Sequence, residues 1–442
     1  MTSDKNDYVK FTNAESEPGS GAAPRLAATL EAALALRRRG ARGLEPAPVV
    51  RLEQTAERAA AREAGLALLA EGRVATLVVA GGQGTRLGHP GPKGTFPIGP
   101  VSRRTLFGLQ AQKIHGIQRR SGKPLPWIVM TSEDTDPATR ASFAAEARFG
   151  LEVHFVRQQS LPCVDFAGEP IRVAEGRFAT APDGHGGMLA ALAKSGLLEA
   201  LAARGIRALA YQQVDNPLAR TADPLLLGWL VRGPAEVATK VLRKRGPDEH
   251  LGTVGVREGR THVVEYSELE PAEGAARGPD GELRLWAGSF GVHAFALDFL
   301  RRCAGRADAL LPLHAAPKVI PYVETDGSTV APTEANGYKL ERFVFDLLPE
   351  ARAVTLVEGV REDEYAPVKN AQGPESPDSA RRALDACARR WLASAGWTLP
   401  PATHWVELDH SVIDGPEEAA GLAARDVRTA DPVVRVGPGV PG

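Results

Sequence analysis

The sequence has 442 residues, of which 43% are hydrophobic and 24% charged, and its formal net charge is −1. A chain of this length is expected to form two or three domains, and its near-neutral charge argues against a nucleic-acid partner, which a basic face would recognise. Three widely spaced cysteines, a polar N-terminus and no apolar run of ~18 residues argue against a disulfide framework, a signal peptide and a membrane span. These features predict a cytoplasmic protein with no membrane partner.

The N-terminal part of the chain divides into two predicted segments. Residues 1–24 are rich in Ser, Asn, Asp, Glu and Gly and carry few large apolar residues, so they are predicted to be disordered. Residues 25–70 form a predicted helical segment, with one helix at Leu26–Arg39 and a second at Val49–Glu71. The second helix leads directly into the first strand of the main domain.

The stretch Val74–Lys113 organises the rest of the chain. Val74–Ala80 is an apolar, β-branched run typical of a buried parallel strand, and it ends on Gly81 and Gly82, with a further glycine at Gly84. Because glycine has no side chain, backbone N–H groups in such a loop can turn toward a ligand and phosphate oxygens can approach closely. The pattern indicates a phosphate-binding loop.

Two cations and a helix follow the glycine loop. Arg86 and Lys93 place positive charge beside it, and Ser102–Thr105 contains residues that favour the N-cap of an amphipathic helix beginning near Leu106. Strand, glycine loop, two cations and a capped helix together predict a site for a nucleoside polyphosphate. The alternative is a tight strand-to-helix turn whose basic residues are only solvated.

The spacing of the glycines differs from that of the dinucleotide-binding loop and of the P-loop. The pattern is Gly82-x-Gly84-x-x-x-Gly88, which is not the GxGxxG of dinucleotide-binding proteins, and there is no GxxxxGK[ST] of P-loop kinases and ATPases. A nicotinamide-dependent dehydrogenase would also need an acidic residue about 20 residues further on, where Ser102–Thr105 stand instead. Charge in the loop is what a triphosphate requires, so a dehydrogenase is disfavoured.

Apolar runs alternate with helical patterns from Glu71 onward, which predicts a doubly wound, mostly parallel α/β sheet. The predicted strands are Trp127–Thr131, Glu152–Val156, Ala208–Val214, Glu236–Val241 and His262–Tyr266. The predicted helices are Pro137–Phe149, Met188–Arg204 and Asp223–Val231. A Gly/Pro/Ala-rich span at Gly274–Glu282 is expected to be a hairpin or insertion loop.

A change of composition near Ala371 predicts the last domain boundary. The catalytic domain is expected to cover residues 71–370, and residues 371–442 are expected to form a small C-terminal domain with a helix at Ser379–Ala395 and a strand-like tail.

The motifs of the chain resemble those of one known family. They are LVVAGGQGTRLG, PKGTFPIG, SRRTLF, PWIVMTS, QQSLPCVDF, APDGHGG, VDNPL, VVEYSEL, IPYVETDG, ERFVFDLL and REDEYAPVKNA. In this order they are similar to the signature of the eukaryotic-type UDP-N-acetylglucosamine pyrophosphorylases, which belong to the type-1 UDP-sugar pyrophosphorylase family. The resemblance extends from about Glu71 to about Ala371 and more faintly to the C-terminus. It implies a Rossmann-like nucleotidyltransferase sheet and the transfer of a uridylyl group from UTP to a sugar 1-phosphate.

The reaction implied by this resemblance needs cations more than a protein nucleophile, because it brings two anions together. Arg86 and Lys93 match the loop cations of the family, and Lys369 matches a lysine that reaches the phosphates from the far side of the cleft. Without the resemblance, Lys369 would be taken for a surface lysine. Asp215 follows the strand Ala208–Val214 at the edge where open α/β sheets bind ligands, and the resemblance makes it a ligand of Mg²⁺. A helix N-cap is the alternative role for Asp215.

The resemblance also assigns residues to the nucleotide. Ala80, Gly81, Gly82 and Gln159 match positions that contact the uridine, and Gly184 matches a position that lies against the nucleotide. Backbone groups and a side-chain amide can pair with both the carbonyl and the N–H edge of uracil. The alternative for Gln159 is a plain loop amide.

The sugar pocket is the part in which this sequence departs from the family. Glu265 matches a glutamate that accepts hydrogen bonds from sugar hydroxyls, and Phe343 and Phe345 match aromatic residues near the sugar and its acyl group, although core packing is the alternative for both rings. His185 stands in place of a family asparagine and resembles the glucose-type relatives. The NAGN motif of the family is WAGS here, with Ser289 at its end. Neither His nor Ser reproduces the combined donor and acceptor of an asparagine.

The sequence therefore predicts a Mg²⁺-dependent UTP:sugar-1-phosphate uridylyltransferase with UTP and a sugar 1-phosphate as partners, and N-acetylglucosamine 1-phosphate as the expected sugar. One alternative is a glucose 1-phosphate or broad-range UDP-sugar pyrophosphorylase. A second is a UDP-sugar-binding protein without catalytic activity, which Trp286 and Ser289 in the remodelled motif would suit. Nothing in the sequence selects between a monomer and a homo-oligomer.

Overall fold

The computed structural model describes residues 12–15, 22–324, 326–399, 404–421, 427–430 and 433–436. In chain order the strands are β1 Thr12–Glu15, β2 Val49–Val50, β3 Val74–Val79, β4 Trp127–Thr131, β5 Val153–Arg157, β6 Ser160–Pro162, β7 Val164–Asp165, β8 Arg172–Ala174, β9 Arg177–Pro182, β10 Ala208–Gln213, β11 Val237–Arg243, β12 Gly252–Arg257, β13 Arg260–Val264, β14 Ala287–Ala296, β15 His314–Lys318, β16 Tyr322–Val323, β17 Thr329–Val330, β18 Gly337–Glu341, β19 Val354–Glu358, β20 Trp405–Leu408, β21 Val427–Ala430 and β22 Val433–Val436.

The helices of the described residues are, in chain order, α1 Ala22–Arg39, α2 Thr55–Ala70, α3 Leu106–Ser121, α4 Asp136–Ala145, α5 Met188–Lys194, α6 Leu197–Ala203, α7 Pro224–Val231, α8 Pro271–Ala275, α9 Leu297–Ala304, α10 Ala307–Leu310, α11 Arg361–Glu364, α12 Pro377–Ser394 and α13 Pro416–Ala419. Short 3₁₀ turns lie at Thr85–Leu87, Lys93–Thr95, Ala147–Gly150, His185–Gly187, Tyr266–Glu268 and Val344–Glu350. None of these helices is long and apolar enough to cross a membrane alone. One pair of helical segments, His185–Lys194 and Leu197–Ala203, has the length and composition of a membrane span only when the two are taken together, and the pair is bent by 69°.

The central sheet has the strand order β2-β19-β11-β14-β10-β3-β4-β5, and β12 and β13 extend it from β14. The pairs β10/β3, β3/β4, β4/β5, β11/β19 and β19/β2 are parallel, whereas β14 runs antiparallel to both β10 and β11. Smaller sheets are β1-β9-β6 with β8, β15-β18-β7, β16-β17 and β20-β22-β21. The prediction of a doubly wound, mostly parallel α/β sheet is confirmed.

Burial on both faces explains why β3 is a continuous apolar run. Val74 and Val78 point into one hydrophobic core, while Ala75 and Leu77 point into a second core on the other face. The first core receives residues of α2, α3, α7 and α12, and the second receives residues of α5, α6 and α9. A parallel strand covered by helices on both sides cannot alternate apolar and polar residues.

Two predicted helices differ from the structure, and one strand of the central sheet has no counterpart among the predicted elements. The helix predicted at Val49–Glu71 begins only at Thr55, because Val49–Val50 instead pairs with β19. The helix predicted at Met188–Arg204 is two helices, separated at Gly196, whose φ of 70° lies in the left-handed region. The ten-residue strand β14 was not predicted at all, although it lies between β10 and β11 in the sheet.

The ends of the chain pack onto the main domain. Within the tail predicted to be disordered, Thr12–Glu15 pairs with β9, and the other residues up to 21 lie outside the described ones. The C-terminal helix α12 buries Leu384, Trp391 and Leu392 in the same core that receives Leu109 of α3. The division at residue 371 therefore runs through a shared core, and a separate C-terminal domain stays a prediction.

Candidate active site

A cleft of about 640 Å³ opens at the carboxyl ends of β3, β4 and β10. This is the edge at which open α/β sheets bind ligands. Half of the residues predicted for the site form its wall, namely Gly81, Gly82, Arg86, Lys93, Gly184, His185 and Asp215. The other half are not among the described wall residues, namely Ala80, Gln159, Glu265, Ser289, Phe343, Phe345 and Lys369.

The glycine loop after β3 folds back on itself. Gly84 donates its N–H to the Gly91 carbonyl at 2.9 Å, and Lys93 donates its N–H to the Gly82 carbonyl at 3.0 Å. A Cβ atom on Gly84 would stand 2.9 Å from the Gly91 oxygen, so the turn requires glycine there. Gly88, with a φ of 68°, ends the short turn that carries Arg86. This folding brings both loop cations to the mouth of the same cleft.

The Lys93 ammonium and the Asp215 carboxylate meet inside the cleft. Lys93 Nζ donates to Asp215 Oδ2 at 3.3 Å, and their side chains are 19% and 14% exposed. Lys93 is held by the 3₁₀ turn Lys93–Thr95, and Asp215 lies two residues beyond the end of β10. The prediction that these two charges belong to one site agrees with this geometry. Neither group is so buried that an anionic ligand would be shut out.

Lys369 reaches the region from a separate segment. Val368 donates its N–H to the Asp215 carbonyl at 2.9 Å, which joins this segment to the end of β10. Burial and the Glu265 carboxylate raise the pKa of Tyr266, and the charges of Lys369 and Arg86 both oppose this rise. Lys369 and Arg86 therefore both lie within electrostatic reach of the Tyr266 phenol.

The side-chain amide that lines the cleft next to the glycine loop is that of Gln158. Gln158 is 7% exposed and lines the cleft, and a Cβ atom on Gly81 would lie 3.0 Å from its side-chain oxygen. Gln159, the predicted residue, is exposed, and its carbonyl accepts the N–H of Asp183. The sequence contains a signal for this position: Val156 is a buried residue of β5, and Gln158, two residues further on, lies on the same face of an extended chain.

His185 lines the cleft, and its ring packs against the rings of Phe343 and Phe345. Its Nδ1 accepts the N–H of Val344 at 3.1 Å, and its ring stacks on Phe343 at 5.2 Å and meets Phe345 at 5.7 Å. Burial lowers the pKa of His185 to about 4, so the ring is neutral at pH 7 and its proton sits on Nε2. The histidine can therefore donate to a ligand and cannot also accept.

Glu265 directly follows β13 and Ser289 lies in β14, and both are close to Gly252 of β12. Gly252 is paired with Ser289 across β12 and β14, and a Cβ atom on Gly252 would be 3.8 Å from Glu265 Oε2. Burial and the nearby Glu268 carboxylate raise the pKa of Glu265 to about 7, and the Lys369 ammonium opposes that rise. Hydrogen bonds donated to the Glu265 carboxylate would favour its charged form and so oppose this rise.

Trp286 does not line the cleft. Its ring lies 4.4 Å from the Arg51 guanidinium and 5.0 Å from that of Arg243, and it precedes β14. The tryptophan in the altered motif therefore binds two arginines and does not fill the ligand cavity.

Gln213 and Lys339 line the cleft, and sequence reasoning missed both. Gln213 is the last residue of β10, so its place at the ligand-binding edge follows from the strand that was predicted. Lys339 lies in β18, which belongs to a different sheet, and its ammonium pairs with Glu341. No local pattern signals Lys339, because only the packing of two sheets brings it to the cleft.

The sequence of residues 36–374 matches the model of a family described as UTP–glucose-1-phosphate uridylyltransferase. The chain is 39% identical over 368 residues to UDP-N-acetylhexosamine pyrophosphorylase-like protein 1 of Xenopus tropicalis, with 81% of this chain and 71% of that protein covered. It is 40% identical over 363 residues to UDP-N-acetylglucosamine diphosphorylase 1 of Arabidopsis thaliana, with 78% and 70% covered.

The fold is similar to that of a solved relative. The crystal structure of the uridine diphosphate N-acetylglucosamine pyrophosphorylase of Trypanosoma brucei, in complex with an inhibitor, superposes with a TM-score of 0.76 at 28% identity. The match covers 95% of this chain and 94% of that one. The resemblance seen in the motifs is confirmed over most of the chain: this protein belongs to the UTP–glucose-1-phosphate uridylyltransferase family of nucleotidyltransferases.

Proposed function

We propose that this nucleotidyltransferase joins UTP and N-acetylglucosamine 1-phosphate to make UDP-N-acetylglucosamine and pyrophosphate. The observation that carries the proposal is the convergence of Arg86, Lys93 and Asp215 on one cleft at the end of the parallel strands. The names of the relatives from Xenopus tropicalis and Arabidopsis thaliana support the amino sugar as substrate.

The chemistry follows from charge. An oxygen of the sugar phosphate attacks the α-phosphorus of UTP, a new P–O bond forms, and the bond to the bridging oxygen of the leaving pyrophosphate breaks. Arg86 and Lys93 neutralise the triphosphate and the growing charge of the pyrophosphate, while Lys369 attracts the sugar phosphate. His185 is not required as a base, because a phosphate monoester is already a competent nucleophile.

Asp215 is the residue proposed to hold Mg²⁺. Among the described residues, no group of three or more His, Cys, Asp or Glu side chains is arranged to hold a metal. A single carboxylate at the cleft wall still fits Mg²⁺, which binds one or two carboxylates together with phosphate oxygens and water. When bound, the ion would supply further neutralisation of the phosphate oxygens.

We also propose a cytoplasmic location, which the free, buried thiols of Cys163, Cys303 and Cys387 support.

A glucose 1-phosphate pyrophosphorylase is the second candidate function. It is favoured by His185 and Ser289, each of which replaces an asparagine in a different motif of the family and leaves fewer groups to pair with an acetamido substituent. Against it stands the pair of aromatic rings, Phe343 and Phe345, beside His185, which offers an apolar surface for a methyl group.

Pyrophosphate release separates these candidates. The protein is incubated with UTP, MgCl₂ and, in turn, the 1-phosphates of N-acetylglucosamine, N-acetylgalactosamine, glucose and galactose. The proposal expects the highest kcat/KM with N-acetylglucosamine 1-phosphate and no release when the sugar phosphate is omitted. A higher kcat/KM with glucose 1-phosphate would replace the first candidate with the second, and no release with any sugar would overturn both.

A further inference from the structure

One buried histidine outside the cleft joins two segments of the sugar pocket. His314, the first residue of β15, is 5% exposed. Its Nδ1 lies 2.7 Å from Glu268 Oε1 and its Nε2 lies 2.9 Å from Asp346 Oδ2. A carboxylate only accepts hydrogen bonds, so a histidine between two of them donates from both nitrogens and carries a positive charge.

The two carboxylates belong to the two turns that carry the predicted sugar contacts. Glu268 ends the turn Tyr266–Glu268, and its N–H donates to the Glu265 carbonyl at 2.9 Å. Asp346 lies in the turn that follows Phe343, and its N–H donates to the Phe343 carbonyl at 3.2 Å. Backbone hydrogen bonds therefore link Glu268 to Glu265 and Asp346 to Phe343, and Glu265 and Phe343 are both predicted sugar contacts.

The histidine also touches the aromatic pair directly. The His314 ring centroid is 4.4 Å from that of Phe343 and 6.4 Å from that of Phe345. Phe343 in turn stacks on His185, which lines the cleft. One imidazolium therefore bonds the glutamate turn, bonds the phenylalanine turn and packs against the ring of the phenylalanine.

We propose that His314 is a positioning residue for the sugar half of the active site: its two hydrogen bonds fix the distance between the Glu265 carboxylate and the Phe343–Phe345 pair. The inference rests on the proposed function, in which those residues bind the sugar. Of the residues assigned to the nucleotide and its phosphates, Gly81, Gly82 and Lys93 belong to the loop after β3, whereas Gly184 packs against Arg342, next to Phe343. Loss of the histidine should therefore weaken sugar binding and leave nucleotide binding intact.

The first test is the variant His314→Gln, which is neutral and cannot donate to both carboxylates with the geometry of an imidazolium. We expect KM for the sugar 1-phosphate to rise by at least about tenfold, the effect of losing one to two charged hydrogen bonds. KM for UTP should change by less than about twofold, since no nucleotide contact is touched. Equal changes in both KM values, or a fall in kcat alone, would overturn the proposal.

His410→Gln is the matched control. His410 is also buried, at 6% exposed, and its Nδ1 lies 3.5 Å from an Asp414 oxygen, but it belongs to the C-terminal segment. Both KM values of this variant should stay near those of the unsubstituted protein. A rise in the sugar KM of this variant similar to that in His314→Gln would show a general effect of losing a buried histidine and would count against the proposal.

Calorimetry gives a readout that does not depend on turnover or on a fully stable variant. UDP and UDP-N-acetylglucosamine are each titrated into the unsubstituted protein, into His314→Gln and into the milder variants Glu268→Gln and Asp346→Asn. UDP affinity should be unchanged in all of them, and the additional affinity conferred by the sugar should fall in all three variants.

These measurements separate the positioning role from the proposed reaction. An unsubstituted protein that releases no pyrophosphate would defeat the proposed function, and the sugar-dependent part of the affinity would still decide the role of His314. An unsubstituted protein that binds UDP-N-acetylglucosamine no tighter than UDP has no sugar pocket to organise, and this result would overturn the role of His314.

Discussion

Lys93 is the residue whose charge the proposed reaction uses most directly. Its ammonium already lies 3.3 Å from the Asp215 carboxylate, at the place where a triphosphate and its metal ion would meet. We expect Lys93→Ala to lower kcat by at least ~100-fold, the scale of losing one donor to the transition state. Steady-state pyrophosphate release measures this. The control is Lys123→Ala, an exposed lysine outside the cleft, and equal rates in both variants would remove the role of Lys93.

His314 makes the stability of the protein depend on pH. The carboxylates of Asp346 and Glu268 hold the proton on the ring against the opposing effect of burial, and they raise the pKa of His314 to about 10. The ordinary pKa is 6.5, so the stabilisation is complete below pH 6.5 and is lost as the pH rises toward 10. Each unit of difference in pKa corresponds to about 1.4 kcal/mol.

The pH effect is measured as the free energy of unfolding in urea at pH 6.5, 8 and 9.5. The unsubstituted protein should lose stability across this range, and His314→Gln should lose much less, since it has no imidazolium to deprotonate. Parallel curves for the two proteins would contradict a charged His314.

At the scale of single residues, the sequence predicts the charged residues of the cleft correctly but does not distinguish between two adjacent glutamines. Arg86, Lys93 and Asp215 were assigned from a loop and a strand end, and the structure puts all three in one cleft. The sequence assigns the side-chain amide of the site to Gln159, whereas the amide in the cleft wall is that of Gln158. Adjacent residues of an extended chain point to opposite faces, so the side chain of Gln159 is exposed.

At the scale of elements, the side chain of Asn216 connects the chain just after Asp215 to the segment of Lys369. Asn216 is 5% exposed, its Nδ2 donates to the Glu364 carbonyl at 2.7 Å, and its Oδ1 accepts the N–H of Ala366 at 3.0 Å. Lys369 lies three residues beyond this clamp. The position of the Lys369 ammonium relative to Asp215 therefore depends on a buried amide that is not among the described residues of the cleft wall.

We expect Asn216→Ala to lower kcat by roughly tenfold, because it leaves two buried backbone groups without partners and frees the segment of Lys369. The same substitution in a Lys369→Ala background should cost less than about twofold, since coupled residues are not additive. Gln212→Ala is the control, because Gln212 is a buried amide of β10, four residues before Asn216, and its side chain donates to Thr221. Full additivity of Asn216→Ala and Lys369→Ala would show that the clamp does not act through the lysine.

The elements that sequence reasoning missed are those defined by distant partners. The strand Trp127–Thr131 was predicted with its observed bounds because its apolar run is short and flanked by turn residues. The strand β14 mixes Gly, Ser, His and Ala, which have low strand propensity, and only its pairing with β10 and β11 makes it extended. Likewise Val49–Val50 is a strand only because β19 lies beside it.

At the scale of the whole molecule, the C-terminal segment supports the loop that leads from the glycine turn to α3. The Glu407 carboxylate accepts the backbone N–H groups of Val101 and Ser102, each at 2.7 Å, and also the Ser102 hydroxyl. Arg381 of α12 donates to the Pro97 carbonyl at 2.8 Å. The segment is therefore part of the structure that positions Lys93, although it contributes nothing to the cleft wall among the described residues.

Glu407→Ala should lower the free energy of unfolding by about 1–3 kcal/mol, the cost of leaving buried or partly buried backbone donors without an acceptor. Urea denaturation followed by fluorescence of the tryptophans measures it. Glu350→Ala, an exposed glutamate at the end of a 3₁₀ turn, is the comparison and should change the stability by less than about 0.5 kcal/mol. Equal stability of the two variants would mean that the C-terminal segment does not hold this loop.

The general architecture could be predicted because alternating strands and helices leave one arrangement, a doubly wound sheet with its ligand at the strand ends. The relation of the C-terminal segment to the main domain could not, since a helix such as α12 looks the same in sequence whether it packs on its own domain or on α3. Composition marks the change near residue 371, but it does not reveal the core that both parts share.

The central claim is that fixed positive groups and one carboxylate gather two phosphates for displacement at phosphorus. Isotope exchange tests it most directly: labelled pyrophosphate is incubated with UDP-N-acetylglucosamine, MgCl₂ and the protein, and label is sought in UTP. The account predicts rapid incorporation of label into UTP that requires the UDP-sugar. The rate of incorporation should be at least ~100-fold lower in Asp215→Ala or Lys93→Ala. Tight binding of UDP-N-acetylglucosamine without incorporation of label would contradict it and would identify a UDP-sugar-binding protein.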